Sequence, residues 1–510
     1  MKQRAGVLLL AAALSAGAYL VFAAWRGVIG FPLDDAWIHQ VYARNLATRG
    51  EFAFFAGQPS AGSTSPLWTI LLSIGYLLRL DFRAWTYLLG IAFLAASAFL
   101  VSGFKFQVSR STHPSTALRS AQDVSRLALP LFLLFEWHLA WSAASGMEIP
   151  LFIFLSLLLL ERFYARAHAW ILGLLAGLLT LTRPEGVALA ALVGVGLLGQ
   201  KIEPPRREER KEKKKDHLRV LCVFAVQFGV GFVLVLAPYL LFNLTTSGTI
   251  LPNTFYAKSA EYAEVFARAP LIARWIELLF TPFIGAQILL IPGLIYGIVA
   301  LVRERQWRAL IPFAWILLLP ALYAWRLPVA YQHGRYEMPI IPFIVLYGVG
   351  GTAALLARVR NFVARATWTL SIAATLLAFW LIGAAQYATD VAIIDGEMVQ
   401  SARWIAANAP ADAVVAAHDI GALGYFYPRP FIDLAGLVSP EVIPFIRDED
   451  RLREYLFARR ATFVVVFPGW YPKFDADPRF VPVYQTDCAA TRAAGEKNMA
   501  VYEIRLTGNR

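Results

Sequence analysis

The chain has 510 residues, 58% of them hydrophobic and only 16% charged, with a mean hydropathy of +0.54. Soluble domains run nearer roughly 45–50% apolar and a quarter charged, so an ordinary soluble globular fold is excluded. The net charge of +12 could suit nucleic acid, but the basic residues fall in short loops between apolar runs. Membrane orientation explains them, and no nucleic-acid partner is implied. Cys222 lies in an apolar run and Cys488 in a polar region, so no disulfide framework is expected.

The N-terminal MKQR followed by apolar Gly6–Trp25 resembles a signal peptide. The stretch has the length of a span, about 20 residues, and reads as an uncleaved first helix. Further spans are expected at Ala84–Phe104, Leu127–Gly146, Ile149–Phe163, Ala169–Thr182, Gly186–Gly199, Leu218–Phe242, Phe283–Val302, Ala309–Trp325, Pro339–Ala357 and Ala366–Ala385. That makes about eleven spans, an all-α polytopic membrane bundle.

Orientation has an internal test. With the N-terminus inside, the cytoplasmic loops hold Lys105/Arg110/Arg119/Arg126, Arg162/Arg166, the Lys201–Arg219 run, Arg303/Arg305/Arg308 and Arg358/Arg360/Arg365. Every one is basic, as the positive-inside rule requires. Ser65–Leu80 is apolar enough to tempt a span assignment, but counting it would put the basic loops outside. It is therefore read as a juxtamembrane helix at the outer interface. The Lys201–Arg219 run reads as a solvated cytoplasmic linker.

After Ala385 the composition changes. Short apolar strands at Ala413–Ala417, Phe431–Leu434, Thr462–Phe467 and Met499–Ile504 alternate with helical or turn segments. Residues 386–510 thus read as a small α/β domain, placed outside by the odd span count, with 1–385 as the membrane module. The expected location is the plasma (inner) membrane, with the N-terminus cytoplasmic and the C-terminal domain extracytoplasmic.

The outer loops are rich in functional side chains. In the first, Pro32 and Asp34-Asp35 open a helix that carries His39, Tyr42 and Arg44 and stops at Gly50. An aspartate there caps the helix, but capping needs only one of the two. Glu148 ends the third span. Arg183-Pro184-Glu185 joins two short spans and could be a structural ion pair. Asn253, Tyr256 and Lys258 follow the seventh span, and His333, Arg335 and Tyr336 precede the tenth. Lys258 can snorkel to headgroups or meet a phosphate as a point charge. Taken singly each has a bland structural reading, but the alternation brings all of them to one face.

Seven segments then carry a resemblance: DDAWIHQVYARNLA (34–47), GSTSPLW (62–68), SGMEIPLF (145–152), LTRPEG (181–186), LPNTFYAKS (251–259), HGRYEMPIIP (333–342) and DIGALGYFYPRPFIDLAGLVSPE (419–441). In order and over nearly the whole chain, the set resembles the polytopic GT-C glycosyltransferases, closest to the arabinofuranosyltransferase-like bacterial family. The resemblance implies a polyprenyl-phospho-sugar donor, an extracytoplasmic glycan or lipid acceptor, and a catalytic base among the first-loop aspartates. Where relatives often carry Arg-Tyr, this chain has Val41-Tyr42, which removes one candidate phosphate contact.

The chemistry suits these residues. In an inverting displacement the acceptor hydroxyl loses a proton to a carboxylate. The leaving phosphate needs cations and hydrogen-bond donors rather than a general acid. Asp34 or Asp35 is assigned as the base, and Arg183, Lys258, His333 and Arg335 as phosphate ligands. His39, Tyr42, Arg44, Glu148, Glu185, Asn253, Tyr256 and Tyr336 are assigned to the substrate pocket. Asp34, Asp35, His39 and Glu148 could hold a divalent metal, but their spacing is loose and no cofactor is predicted. The rivals are a transporter or flippase for lipid-linked saccharides and a non-catalytic binder. Against the first, the charges sit at span ends rather than mid-membrane.

Overall fold

The computed structural model describes residues 2–103, 127–198 and 210–505. The expected basic loop from Lys105 to Arg126, and residues 201–209 of the charged linker, lie outside these. Among the described residues, seven helices are long and apolar enough to cross a membrane, or eight if one bent pair is a single span. They include Lys2–Trp25, Phe82–Gly103 and Arg210–Ser247. The expected spans thus divide into seven long helices, the one bent pair and three shorter helices. The three remaining segments are helices of 16, 14 and 13 residues, at Ile149–Tyr164, Ala169–Thr182 and Gly186–Leu198. Each is short of the about 20 residues that span a bilayer upright. The apolar Ser65–Leu80 stretch forms a helix of only 12 residues, Pro66–Leu77.

The third expected span is not straight. Leu127–Phe135 and Trp137–Ala144 meet at 58°, with Glu136 at the break. A helix start inside an apolar bundle leaves amides without partners. The buried Glu136 carboxylate accepts from the Leu139 amide at 2.9 Å and is itself held by His138 at 2.7 Å and Gln287 at 2.5 Å. Elsewhere glycines let helices touch. A Cβ on Gly351 would lie 1.9 Å from the Gly293 carbonyl oxygen, and one on Gly173 2.1 Å from that of Phe228. Such small-residue contacts bring membrane helices to backbone distance.

After the first helix, the helix Asp34–Arg49 ends at Gly50 in the left-handed conformation (φ 72°), as Gly50 led one to expect. A hairpin follows, β1 (Ala53–Phe55) with β2 (Gln58–Pro59).

The C-terminal region forms a five-stranded sheet in the order β4-β3-β5-β7-β6. Its strands are β3 (Val415–Ala417), β4 (Ile432–Asp433), β5 (Phe463–Val466), β6 (Phe480–Gln485) and β7 (Ala500–Ile504). β3 runs parallel to both β4 and β5, and β7 lies antiparallel between β5 and β6. Four of the strands overlap those expected. β6 was missed because it is a largely solvent-facing edge strand interrupted by Pro482, which is where proline is tolerated in a sheet. The border at 385/386 falls inside a helix, Phe362–Ile394, which continues through a wide turn at Asp395–Val399 into Gln400–Asn408.

Candidate active site

Two cavities open at the end of the bundle that carries Asp35, one of about 410 Å³ and one of about 690 Å³. Asp35, Ile38, Lys258, Arg335 and Leu437 line both, and so form their common wall. The smaller cavity is walled by apolar groups such as Val187, Leu251, Leu322 and Trp325. The larger lies against the C-terminal domain.

Asp35 is the centre of the wall. Its Oδ2 is 2.6 Å from Arg335 Nη2 and 3.6 Å from Lys258 Nζ. Burial opposes its ionisation, but the Lys258 and Arg335 charges and the Arg335 hydrogen bond outweigh this and hold it well below the usual carboxylate range. Tyr336 accepts from Arg335 at 2.9 Å and from Lys258 at 3.1 Å, fixing the two cations relative to each other. Arg335 is only 3% exposed, yet its Nε and Nη1 have no hydrogen-bond partner. Buried guanidinium donors are normally satisfied, so these two fit an oxyanion.

The backbone is forced to place Arg335 there. Gln332 and His333 adopt φ of 55° and 62°, left-handed conformations unusual for such residues, followed by Gly334. His333 anchors the turn. Its Nε2 is 2.7 Å from Asp390, and its ring lies 5.4 and 5.3 Å from those of Trp137 and Trp141. It lines neither cavity. His333 is thus removed from the phosphate ligands, since Asp390 already takes its ring nitrogen.

Arg183 is also committed. Its Nε is 2.5 Å from Glu185, its Nη2 donates to Tyr323 at 2.7 Å, and its Nη1 is 3.6 Å from Glu148. His39 completes the chain, 3.3 Å from Glu148. Burial acts against the charge on Glu148, but the imidazole of His39 beside it and the Arg183 charge hold it down at about 2. His39, Glu148, Arg183, Glu185 and Tyr336 line the smaller cavity; of these the sequence reading assigns Arg183 to the phosphate and the other four to the substrate pocket.

The two aspartates have parted roles. Asp34 accepts from the backbone amides of Gly421 at 2.6 Å and Ala422 at 2.8 Å. It therefore caps the helix Gly421–Phe426 of the C-terminal region rather than its own. Each of its oxygens accepts one amide, which gives Asp34 a capping role at the edge of the larger cavity, whereas Asp35 is the aspartate paired with Arg335 and Lys258. Burial, then the Asp419 charge, raises it against the pull of those amides.

Four more expected pocket residues, Arg44, Tyr42, Asn253 and Tyr256, line neither cavity. Arg44 donates to the Tyr425 carbonyl at 2.8 Å and to that of Gly424 at 3.3 Å, finishing the same helix. The Tyr42 hydroxyl is 2.8 Å from Ser60 Oγ and accepts from the Gly62 amide at 3.1 Å. The Asn253 backbone N–H donates to the Ala61 carbonyl at 2.8 Å. Together they hold the loop whose Gly62, Ser63 and Thr64 line the smaller cavity. Sequence reasoning missed Tyr323, Glu261, His418 and Asp419; Tyr323 lay within an apolar run and the last two in an outer domain with no position assigned.

Among the described residues no group of three or more His, Cys, Asp or Glu side chains comes together to hold a metal. The quartet Asp34, Asp35, His39 and Glu148 is divided between amides, cations and an imidazole–carboxylate pair.

A bundle of apolar helices with a small α/β region at one end is the GT-C type of fold. The chain has that fold and is an integral membrane protein. It is similar to ArnT from Cupriavidus metallidurans in the apo state, with 14% identity, 98% of each chain covered and a TM-score of 0.51. With the same protein bound to undecaprenyl phosphate the values are 13%, 99% of each chain and 0.56. With the apo Archaeoglobus fulgidus oligosaccharyltransferase they are 12% identity and a TM-score of 0.54, over 91% of this chain and 69% of that one. Residues 390–502 match a family model described as a domain of unknown function, DUF8728. No curated protein sequence matches the chain.

Proposed function

We propose that this protein transfers a sugar from a polyprenyl-phosphate carrier to a glycan or lipid acceptor on the extracytoplasmic side of the membrane, with inversion at the anomeric carbon. One observation carries this reading: Asp35, Arg335 and Lys258 lie in the wall shared by an apolar cavity and a polar one, and Arg335 has two buried donors to spare. The apolar cavity suits the first isoprene units, with the phosphate at Arg335 and Lys258. That a structural neighbour was solved with undecaprenyl phosphate agrees with this.

In the reaction the acceptor hydroxyl oxygen attacks the anomeric carbon as the bond from that carbon to the phosphate oxygen breaks. The hydroxyl proton passes to Asp35, and polyprenyl phosphate leaves as an anion held by Arg335 and Lys258. Donor binding itself primes the base. The arriving phosphate shares the two cations that hold Asp35 down, and the carboxylate becomes more basic. The phosphate is met by side-chain cations, so the scheme uses no metal. The motif resemblance to the arabinofuranosyltransferase-like family makes polyprenyl-phospho-arabinose the first donor to try, with hexose donors beside it.

The test is transfer from radiolabelled polyprenyl-phospho-sugars to cell-envelope acceptors by the purified protein in lipid. Wild type and Asp34→Asn should transfer, with Asp35→Asn inactive although it still binds donor. Donor left unconsumed by wild type, or an active Asp35→Asn, would sink the proposal.

A further inference from the structure

The C-terminal domain presents its sheet to the larger cavity in a particular way. The chain goes from β3 to its neighbour on one side, β4, then crosses to the neighbour on the other side, β5, all three parallel. In open α/β sheets such a reversal of strand order leaves a crevice at the carboxyl ends of the strands, and ligands bind there. His418 and Asp419 directly follow β3, and Trp470 and Tyr471 follow β5; all four line the larger cavity. The crevice of the sheet therefore opens onto the cavity that has Asp35 in its opposite wall.

Its chemistry is specific. Asp419 Oδ2 is buried without a hydrogen-bond partner. His418 Nδ1 is 2.8 Å from the Tyr471 hydroxyl, and its Nε2 is 3.5 Å from Glu261, on the helix that carries Lys258. Trp470 stands 48% exposed, its ring 5.0 Å from the imidazole. Burial, then the charges of Asp35 and Glu261, push Asp419 up to about 6 while His418 pulls it down, so the two aspartates face one space. A carboxylate only accepts hydrogen bonds, and an aromatic face beside it matches a sugar ring, with hydroxyls at its rim and C–H groups on its face. Glu261 and Asp390 also line the cavity, and Lys258, Arg335 and Arg447 line it as well, so a ligand there meets both acceptors and donors, with the carboxylates of Asp419 and Glu261 nearest the crevice.

We propose that the C-terminal domain is the acceptor-recognition half of the site: the crevice at the ends of β3 and β5 takes an uncharged sugar ring, with Asp419 accepting from its hydroxyls and Trp470 packing on its face. This rests on the glycosyl-transfer reading and gives the segment of unassigned function, 390–502, a task in it.

The experiment uses octyl pentosides and hexosides, with octyl glucuronide as the charged control, on the full chain in lipid nanodiscs. Binding is read by saturation-transfer NMR, and the acceptor KM by transfer from the active donor. Asp419→Asn and Trp470→Ala, each eluting from size exclusion as wild type does, should weaken glycoside binding and raise acceptor KM about tenfold. Their affinity for polyprenyl phosphate should stay within about twofold, as for separate sites, and the glucuronide should bind worst. Wild-type glycoside binding and KM in both variants, with transfer intact, overturns the inference and leaves the transferase standing. Wild type that transfers nothing, yet binds glycosides through Asp419 and Trp470, upholds the crevice and removes the transferase reading.

Discussion

The two cavities share a wall but are built oppositely. Around the smaller one, most charges are already spent on one another: His39 on Glu148, Arg183 on Glu185 and Glu148. Such a network is a rigid frame, and its charges are poor ligands because removing any one strands another. Around the larger one, an aspartate oxygen stays without a partner and a tryptophan stands exposed. The wall between them joins the two styles, with Asp35 paired and Arg335 half paired, while in the frame Glu148 Oε2 and His39 Nδ1 are buried without a hydrogen bond. A charged residue at a cavity is therefore informative less by its presence than by what it leaves unsatisfied.

The contrast can be broken by substitution. The largest loss is expected in the wall, where Asp35→Asn should lower transfer by at least about 10²–10⁴-fold, as for loss of a general base. Next comes Arg335→Gln, expected to cost about 10²–10³-fold in rate for one lost phosphate donor; single-turnover kinetics at saturating donor will read it. The frame should respond in stability instead. Arg183→Met strands Glu148 and Glu185 and should lose about 3–5 kcal/mol in unfolding. A purely catalytic defect with unchanged unfolding would move Arg183 from frame to ligand. Asp34→Asn should cost less, about 1–3 kcal/mol, and should show as faster amide exchange in Gly421–Phe426. The mildest effect is in pH dependence. Glu148 is lowered in the fold, so its contribution is present above its unfolded value near about 4.3 and fades as pH falls toward about 2. Glu148→Gln should flatten that acid limb of the stability curve; an unchanged limb would mean the pair with Arg183 does not form.

Much of this was legible before the fold was known, because a bilayer imposes coarse rules. Apolar run length and the basic loops gave the bundle, and alternation gave the face on which Glu148, Arg183, Lys258 and Arg335 meet. What stayed hidden depended on distant pairing. Nothing local separates Asp34 from Asp35, since they differ by the helix that Asp34 caps 387 positions away. His333 looked like a ligand because Asp390, its partner, lies 57 positions on in an apolar run. The break at Glu136 was invisible because a capped helix end inside an apolar stretch has the hydropathy of a straight span. Asp419 and Trp470 follow strands, and their convergence needs the sheet order.

The last membrane helix has no joint where the bundle ends. Phe362–Ile394 passes through the turn at Asp395–Val399 into Gln400–Asn408. In that turn Glu397 is bonded to Thr486, to Asn498 at 2.6 Å and to the Met499 amide at 2.8 Å. The sheet is thus bolted to a lever whose other arm lies in lipid. Tilting is one response of such an arm to a bilayer thinner than its apolar length, against the packing of its neighbours, and acceptor KM measured across nanodiscs of increasing acyl length is the reading that tells whether the mouth above Asp35 moves with it.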